Sequence, residues 1–208
     1  MLLVPIIADA LEIISWNDRL DYTNHVPAFM KQVTGVVDTL HLPITNGKSR
    51  HRHCYNGKYK CSCVKFIIAS SFLGEILFCS GPFLGTKYDG HIWQESARAH
   101  PTLPGEYLLG DGHFASQPDC IAPYPKPRRA MNNAFELRFN AVHAFYRSRA
   151  EHANARIRRH SLFRNIHRGR FERLHQFLGS FFRLQCALQN IYNLLNPPYP
   201  PCGNQSHF

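Results

Sequence analysis

Two hydrophobic rhythms divide the chain. Up to about residue 114 the apolar residues fall in short runs rich in Val, Ile and Phe, bounded by glycine, proline and polar clusters, the pattern of strands. From Phe135 they recur every three or four residues, the period of helices. Val33, Thr34, Val36 and Val37 predict a first strand that leads into Asp38 and ends at Pro43. CSCVKFIIAS and GEILFCSGP predict two more, joined by the hairpin-length SFLG. A short helix is expected from Asp89, with Asp89 as its N-cap, Ile92 and Trp93 facing a core, and Pro101 and Pro104 as the stop. EYLLGDGHFA predicts a further strand with Asp111 at its end, and residues 115–133 a proline-rich loop. Val142, Tyr146, Ala150, Ala153 and Ile157 mark one face of a long helix, with Glu151 at the edge of that stripe. Phe171, Leu174, Leu178 and Phe181 mark a second, which stops before Pro197.

That order predicts an α/β fold: a mixed sheet, antiparallel at first, flanked by helices, in a ribonuclease-H-like layout. Residues 1–34 read as a helical lead-in, 35–195 as the main domain and 196–208 as a frayed proline-rich tail. The 208 residues suffice for one sizeable core.

Composition adds a partner class. Lys and Arg number 24 against 14 acids, a net charge of +10, which favours a polyanion such as duplex DNA. The start, MLLVPIIADALEII, has no basic leader, and VKFIIASSFLGEILFC is broken by Lys65, Gly74 and Glu75, so neither a signal peptide nor a membrane span is expected. Seven cysteines without dense spacing predict free thiols in a reducing compartment.

Asp38, Asp111 and Glu151 are the candidate chemistry. Asp111 follows Asp38 by 73 residues and Glu151 follows Asp111 by 40, too far apart for a linear metal loop. They suit a site assembled by folding, two acids from strand ends and one from a helix. Two-metal phosphodiester cleavage needs carboxylates on a rigid frame, and Mg²⁺ or Mn²⁺ suits such oxygens. Each acid also has a plain structural reading: Asp38 as a turn cap, Asp111 in GDG as a turn residue, Glu151 as an i−4 partner of Arg147.

The surrounding segments resemble a known family. VVDTLHLPI is similar to the first-Asp strand of the PIF/Harbinger-type DDE transposases, and YNGKYKCSC to the lysine-bearing segment that opens the next strand. GPFLGTKYDGHIWQES, YLLGDGHFASQPDCIAPYPKPR and FNAVHAFYRSRAEHANARIRRHSLFR resemble, in order, the family's turn and helix, its second-Asp segment and its catalytic-Glu helix. The resemblance runs from about Trp16 to Asn193. It implies a metal-dependent DNA endonuclease with two Mg²⁺ or Mn²⁺ ions, Asp38, Asp111 and Glu151 as catalytic and metal-binding residues, and Asp89 as a structural cap near the site. Departures are Thr39-Leu40 for the usual Gly-Thr, Ala69-Ser70 where an Asp is common, and His113-Phe114 in place of a small or aromatic pair. Family members carry a longer N-terminal region with a DNA-reading module, so a separate DNA-binding partner protein is expected here, and a nuclear location. The competing expectation is a decayed or domesticated transposase remnant, binding DNA or protein without cleaving.

Two further patterns stand beside the acids. RIRRHSLFRNIHRGRFER holds Arg156, Arg158, Arg159, Arg164 and Arg168, expected to contact DNA phosphates, although such a run also suits a solvated face or a nuclear localisation signal. His51, His53, Cys54, Cys61 and Cys63 invite a zinc reading, but lack paired CxxC knuckles and equally suit a core strand.

Overall fold

A computed structural model describes residues 15–17, 19–20, 30–45, 54–58, 60–98, 100–125, 133–160, 163, 167–168 and 171–198. His51, His53 and Arg164 of the sequence reading, and most of the lead-in and tail, lie outside the described residues. Among those described, no helix is long and apolar enough to cross a membrane.

The strands are β1 (Val33–Thr45), β2 (Tyr55–Asn56), β3 (Cys61–Ser70), β4 (Ile76–Leu84), β5 (Tyr107–Leu109), β6 (Cys120–Ile121) and β7 (His167–Arg168). The helices are α1 (Asp89–Ala97), α2 (Ala134–Arg159) and α3 (Phe171–Leu195). β3 runs antiparallel to β1 and β4, whereas β5 runs parallel to β1 and β6 parallel to β5. The sheet is therefore mixed, and its layout is the ribonuclease-H-like one expected from the sequence.

Strand alternation sorts the core into two layers. Even positions Leu40, Leu42, Phe66 and Ile68 pack with Ile157, Leu178 and Phe182 of α2 and α3. Odd positions Val37, Ile67 and Ala69 pack on the opposite face with Trp16, Ile92 and Trp93. The helices thus cover both faces, as a sheet with two apolar faces requires.

The strand β6 lies within residues 115–133, expected to be a loop, and further expectations change as well. Pro43 does not end β1, which runs on to Thr45 and pairs Pro43 with Cys63. A proline's missing N–H costs a ladder bond only where a partner lies on that side. The second edge of β1 has no described strand partner between its pairings with β5 and β7. The α2 stripe is buried only from Ala150 onward, while Val142 and Phe145 are exposed. On α3 the buried line is Leu178, Phe182 and Cys186, with Phe181 beside it. Farther along α3, Asn190 donates to Ile76 O and accepts from Ile76 N, both at 2.7 Å, and Asn193 donates to Gly74 O. These amides satisfy the start of an edge strand that backbone pairing leaves open.

A candidate acidic site at the β1–β5 edge

Asp38 interrupts an apolar row. It lies at an even position of β1, between Val36 and Leu40, which are both fully buried. A carboxylate on the helix-covered face breaks the local pattern, as functional positions do. Burial pushes its pKa up to about 6. The Thr39 amide and Arg147 pull the other way, and Asp111 and Glu151 add smaller upward pushes. Repulsion among the three acids is thus present, but desolvation dominates it.

Asp111 reaches the same place by a different device. Val36 of β1 pairs with Leu109 of β5, and each acid lies two residues beyond that pair in its own chain segment. Asp111 is not on the strand, which ends at Leu109. A Cβ on Gly110 would lie 2.7 Å from Phe114 Cβ, so the chain turns there with the Phe114 side chain packed against it. Asp111 then caps a 3₁₀ turn, Gly112–Phe114, and accepts from His113 N at 2.8 Å.

Helix α2 supplies the facing wall. Asn133 and Glu136 form a reciprocal capping box that fixes its start. Arg147, Glu151, Asn154 and Arg158 follow at intervals of 4, 3 and 4, one stripe of an α-helix. All four line a cleft of about 810 Å³ with Asp38, Thr39, His41, Lys58, Asp89, Asp111 and Arg159. Glu151 is exposed and ion-paired to Arg147. Asn154 Nδ2 donates to Asp38 Oδ2 at 2.7 Å. The amide oxygen of the same side chain, Asn154 Oδ1, is buried without a hydrogen-bond partner, as is the hydroxyl of Thr39, an odd position of β1. An orphaned amide oxygen beside the half-buried Asp38 carboxylate is an acceptor short of a donor or a cation. Burial also lowers the His41 pKa to about 4, against the pull of Asp89, so His41 is neutral at pH 7.

The structure therefore brings Asp38, Asp111 and Glu151 to one cleft. Among the described residues, however, no three His, Cys, Asp or Glu side chains are grouped closely enough to hold a metal as they stand, which applies equally to Cys54, Cys61 and Cys63. The reason for the acids is visible in their partners: Asp111 is turned to the His113 amide and Glu151 to Arg147.

The other site residues divide. Arg158 and Arg159 line the cleft, and Arg158 reaches His41 O. Arg156 points away and donates to Asn193 Oδ1 of α3 at 3.4 Å. Arg168 is in β7, but its side chain is not among those described. Sequence reasoning missed Asn154, whose only signal was its place on the Arg147–Glu151 stripe.

Asp89 is near the site but is not a cap. Tyr88 holds the N-cap position, without a side-chain cap, and Asp89 is the first residue of α1. Its Oδ1 accepts from Lys65 Nζ at 2.7 Å, with both side chains largely buried, and Lys65 Nζ also donates to Lys87 O at 2.6 Å. The partner lies 24 residues away on β3. A lost cap costs about 1 kcal/mol, whereas stripping one member from a buried pair costs about 3–5 kcal/mol. Urea unfolding of Asp89→Ala at pH 7 should show the larger loss, and Asp89→Leu combined with Lys65→Met should recover most of it. A loss near 1 kcal/mol would return Asp89 to a capping role.

Comparison with family models matches residues 37–190 to the family described as DDE superfamily endonuclease. Comparison with curated proteins and with solved structures finds no match.

Proposed function

We propose that this chain, which belongs to the DDE superfamily endonucleases, cleaves phosphodiester bonds of duplex DNA, with Asp38, Asp111 and Glu151 as the ligands of divalent Mg²⁺ or Mn²⁺. The observation that carries the reading is Asp38 itself: an acid held on a helix-covered strand face, beside the orphaned Asn154 Oδ1, in a cleft that two further acids line. The donors are hard oxygens, which fit these ions. When bound, such ions activate the attacking water and stabilise the leaving oxygen. The chain's own residues do the rest. Asn154 fixes the Asp38 carboxylate by donating to Oδ2. Asp38, with a pKa of about 6, holds a proton in mildly acid solution, so metal affinity should weaken as pH falls towards that value. Arg158 and Arg159 bring cationic groups to the cleft wall, where a phosphate backbone would run. The PIF/Harbinger subtype, the domain bounds 35–195 and a nuclear site of action belong to the same proposal and rest on the motif resemblance.

The test is nicking of supercoiled duplex DNA. Mg²⁺ or Mn²⁺ should support it, Ca²⁺ should not, because its larger and looser shell misplaces the attacking oxygen. Asp111→Asn should abolish it. One observation favours a second reading, a DNA-binding remnant without cleavage: Glu151 is paired with Arg147 rather than turned to Asp38. No nicking with any metal, together with no calorimetric metal binding, would select that reading.

DNA binding has its own signature. The slope of log affinity against log salt should become shallower by about 2 in the Arg158→Ala, Arg159→Ala double variant, about one per phosphate contact. Arg156→Ala, aimed at α3, should leave the slope unchanged. Titrations at several salt concentrations distinguish the two, and an unchanged slope in the double variant would place DNA elsewhere.

A further inference from the structure

A second cleft, of about 310 Å³, opens beside the acidic one and shares His41, Lys58 and Asp89 with it. The two form one continuous trough. Its far part is lined by Tyr55, Tyr88, His113, Lys65 and Lys87. None of these five is used by the proposed cleavage chemistry.

The floor is built deliberately tight. A Cβ on Gly85 would lie 2.3 Å from Cys54 O and 2.5 Å from Cys63 O, so only glycine lets the chain leaving β4 lie against β2 and β3. Asn56 Nδ2 ties the β2 turn to Gly85 O at 3.3 Å. The walls are aromatic. Tyr55 and Tyr88 are 48% and 40% exposed, so part of each aromatic side chain is open to a ligand. Tyr88 is braced edge-on by His91 and His113, with ring centroids 5.5 Å and 5.8 Å away. A ring held by neighbours loses little freedom on binding. The rim is cationic through Lys58 and Lys87, and Lys65 offsets the charge of Asp89. Lys87 pairs with Glu95 at the surface, a contact that solvent weakens.

Aromatic faces with a cationic rim are the chemistry that takes unpaired bases with their phosphates. The volume lies at the low end of ligand clefts, about 300–1,000 Å³. It suits one nucleotide and excludes a double helix. We infer that the Tyr55–Tyr88 end of the trough binds an unpaired nucleotide of the DNA strand whose neighbouring phosphate lies in the acidic cleft. This inference rests on the nuclease reading for its orientation, but its test does not depend on cleavage.

The full chain is titrated, in EDTA, with a blunt duplex and with the same duplex carrying a four-nucleotide single-stranded extension that contains 2-aminopurine. The extended duplex should bind about tenfold tighter, the scale of one base–aromatic stack, with quenching of 2-aminopurine fluorescence. Tyr88→Ala and Tyr55→Ala should each reduce the preference, and Tyr88→Phe should restore it. Tyr124→Ala, a similarly exposed tyrosine outside the trough, should keep it. Equal affinity for the two duplexes, no binding of either, or a preference that survives the Tyr55→Ala, Tyr88→Ala double variant would overturn the inference. Nicking is measured separately in Mg²⁺: a chain that prefers the extension yet nicks nothing loses the nuclease reading and keeps the subsite.

Discussion

Asp38→Asn is expected to remove strand cleavage and, in the same molecule, to stabilise the fold at neutral pH. The loss of activity should be at least about a hundredfold, the scale of removing one fixed electrostatic contact to a transition state. The gain has a separate cause. Burial raises the Asp38 pKa from 3.8 to about 6, so the ionised form is disfavoured in the native state. A shift of that size corresponds to roughly 3 kcal/mol at most. Because the folded value lies above the unfolded one, the protonated group favours folding fully below about pH 4, and that contribution is lost as pH rises through about 6. Asn cannot ionise, and its amide oxygen can still accept from Asn154. At pH 7–8 the variant should therefore be more stable than the parent by about 1–3 kcal/mol, and the difference should vanish near pH 4. Urea unfolding in EDTA across that range measures it. A variant less stable at pH 7, or one that still cleaves at the parent rate, would remove Asp38 from the site. A residue that costs stability and supplies activity is what a functional acid on a buried face should be.

Glu106→Ala is expected to cost about 3–5 kcal/mol, as expected for a buried charge left without its partner. Glu106 is buried and accepts from Arg19 Nε at 2.5 Å, Arg19 Nη2 at 2.9 Å, Thr34 Oγ1 at 2.6 Å and Leu103 N at 2.6 Å. Arg19 is itself buried and stacked near the Trp16 ring. The network joins the lead-in to the first residues of β1 and to the turn before β5, the two parallel strands that set Asp38 beside Asp111. Burial alone would raise the Glu106 pKa, but the Arg19, Leu103 and Thr34 hydrogen bonds outweigh it and hold the carboxyl below its usual 4.5. With the folded value depressed, the stabilisation is complete above about pH 4.5 and is lost as pH falls through the folded value. The gap between parent and variant in chemical unfolding should be wide at pH 7 and close in strong acid. Glu106→Gln, which keeps an acceptor, should cost less than Ala. An Ala variant within about 1 kcal/mol of the parent would mean that Arg19 finds water instead.

Local pattern carried much of the architecture. Val33 to Asp38, CSCVKFIIAS and GEILFCSGP form strands because β-branched and aromatic residues fill both faces of a covered sheet, and period-two alternation then decides which face each side chain takes. The long helices follow from their own spacing and, for α2, from the Asn133–Glu136 capping box, an interaction complete within four residues. The element order was enough for the mixed sheet. The three acids were legible as candidates because acids in or beside apolar segments are conspicuous.

The tertiary structure decided what each acid touches. Lys65 and Asp89 are 24 residues apart, Arg19 and Glu106 87 apart, and Asn154 and Asp38 116 apart. No periodicity reports such pairs, because they exist only after the sheet closes and the helices pack. Pro43 inside β1 was illegible for the same reason: its cost depends on whether another strand lies beside it, which the sequence around it does not contain. The Arg147–Glu151 pair was the reverse case. Its i, i+4 spacing was plain in the sequence, yet only the packed helix sets that pair against Asp38 across one cleft. The sequence by itself determined which residues could do chemistry and which elements carry them; packing alone decided their neighbours, because burial and long-range contact are properties of the folded chain.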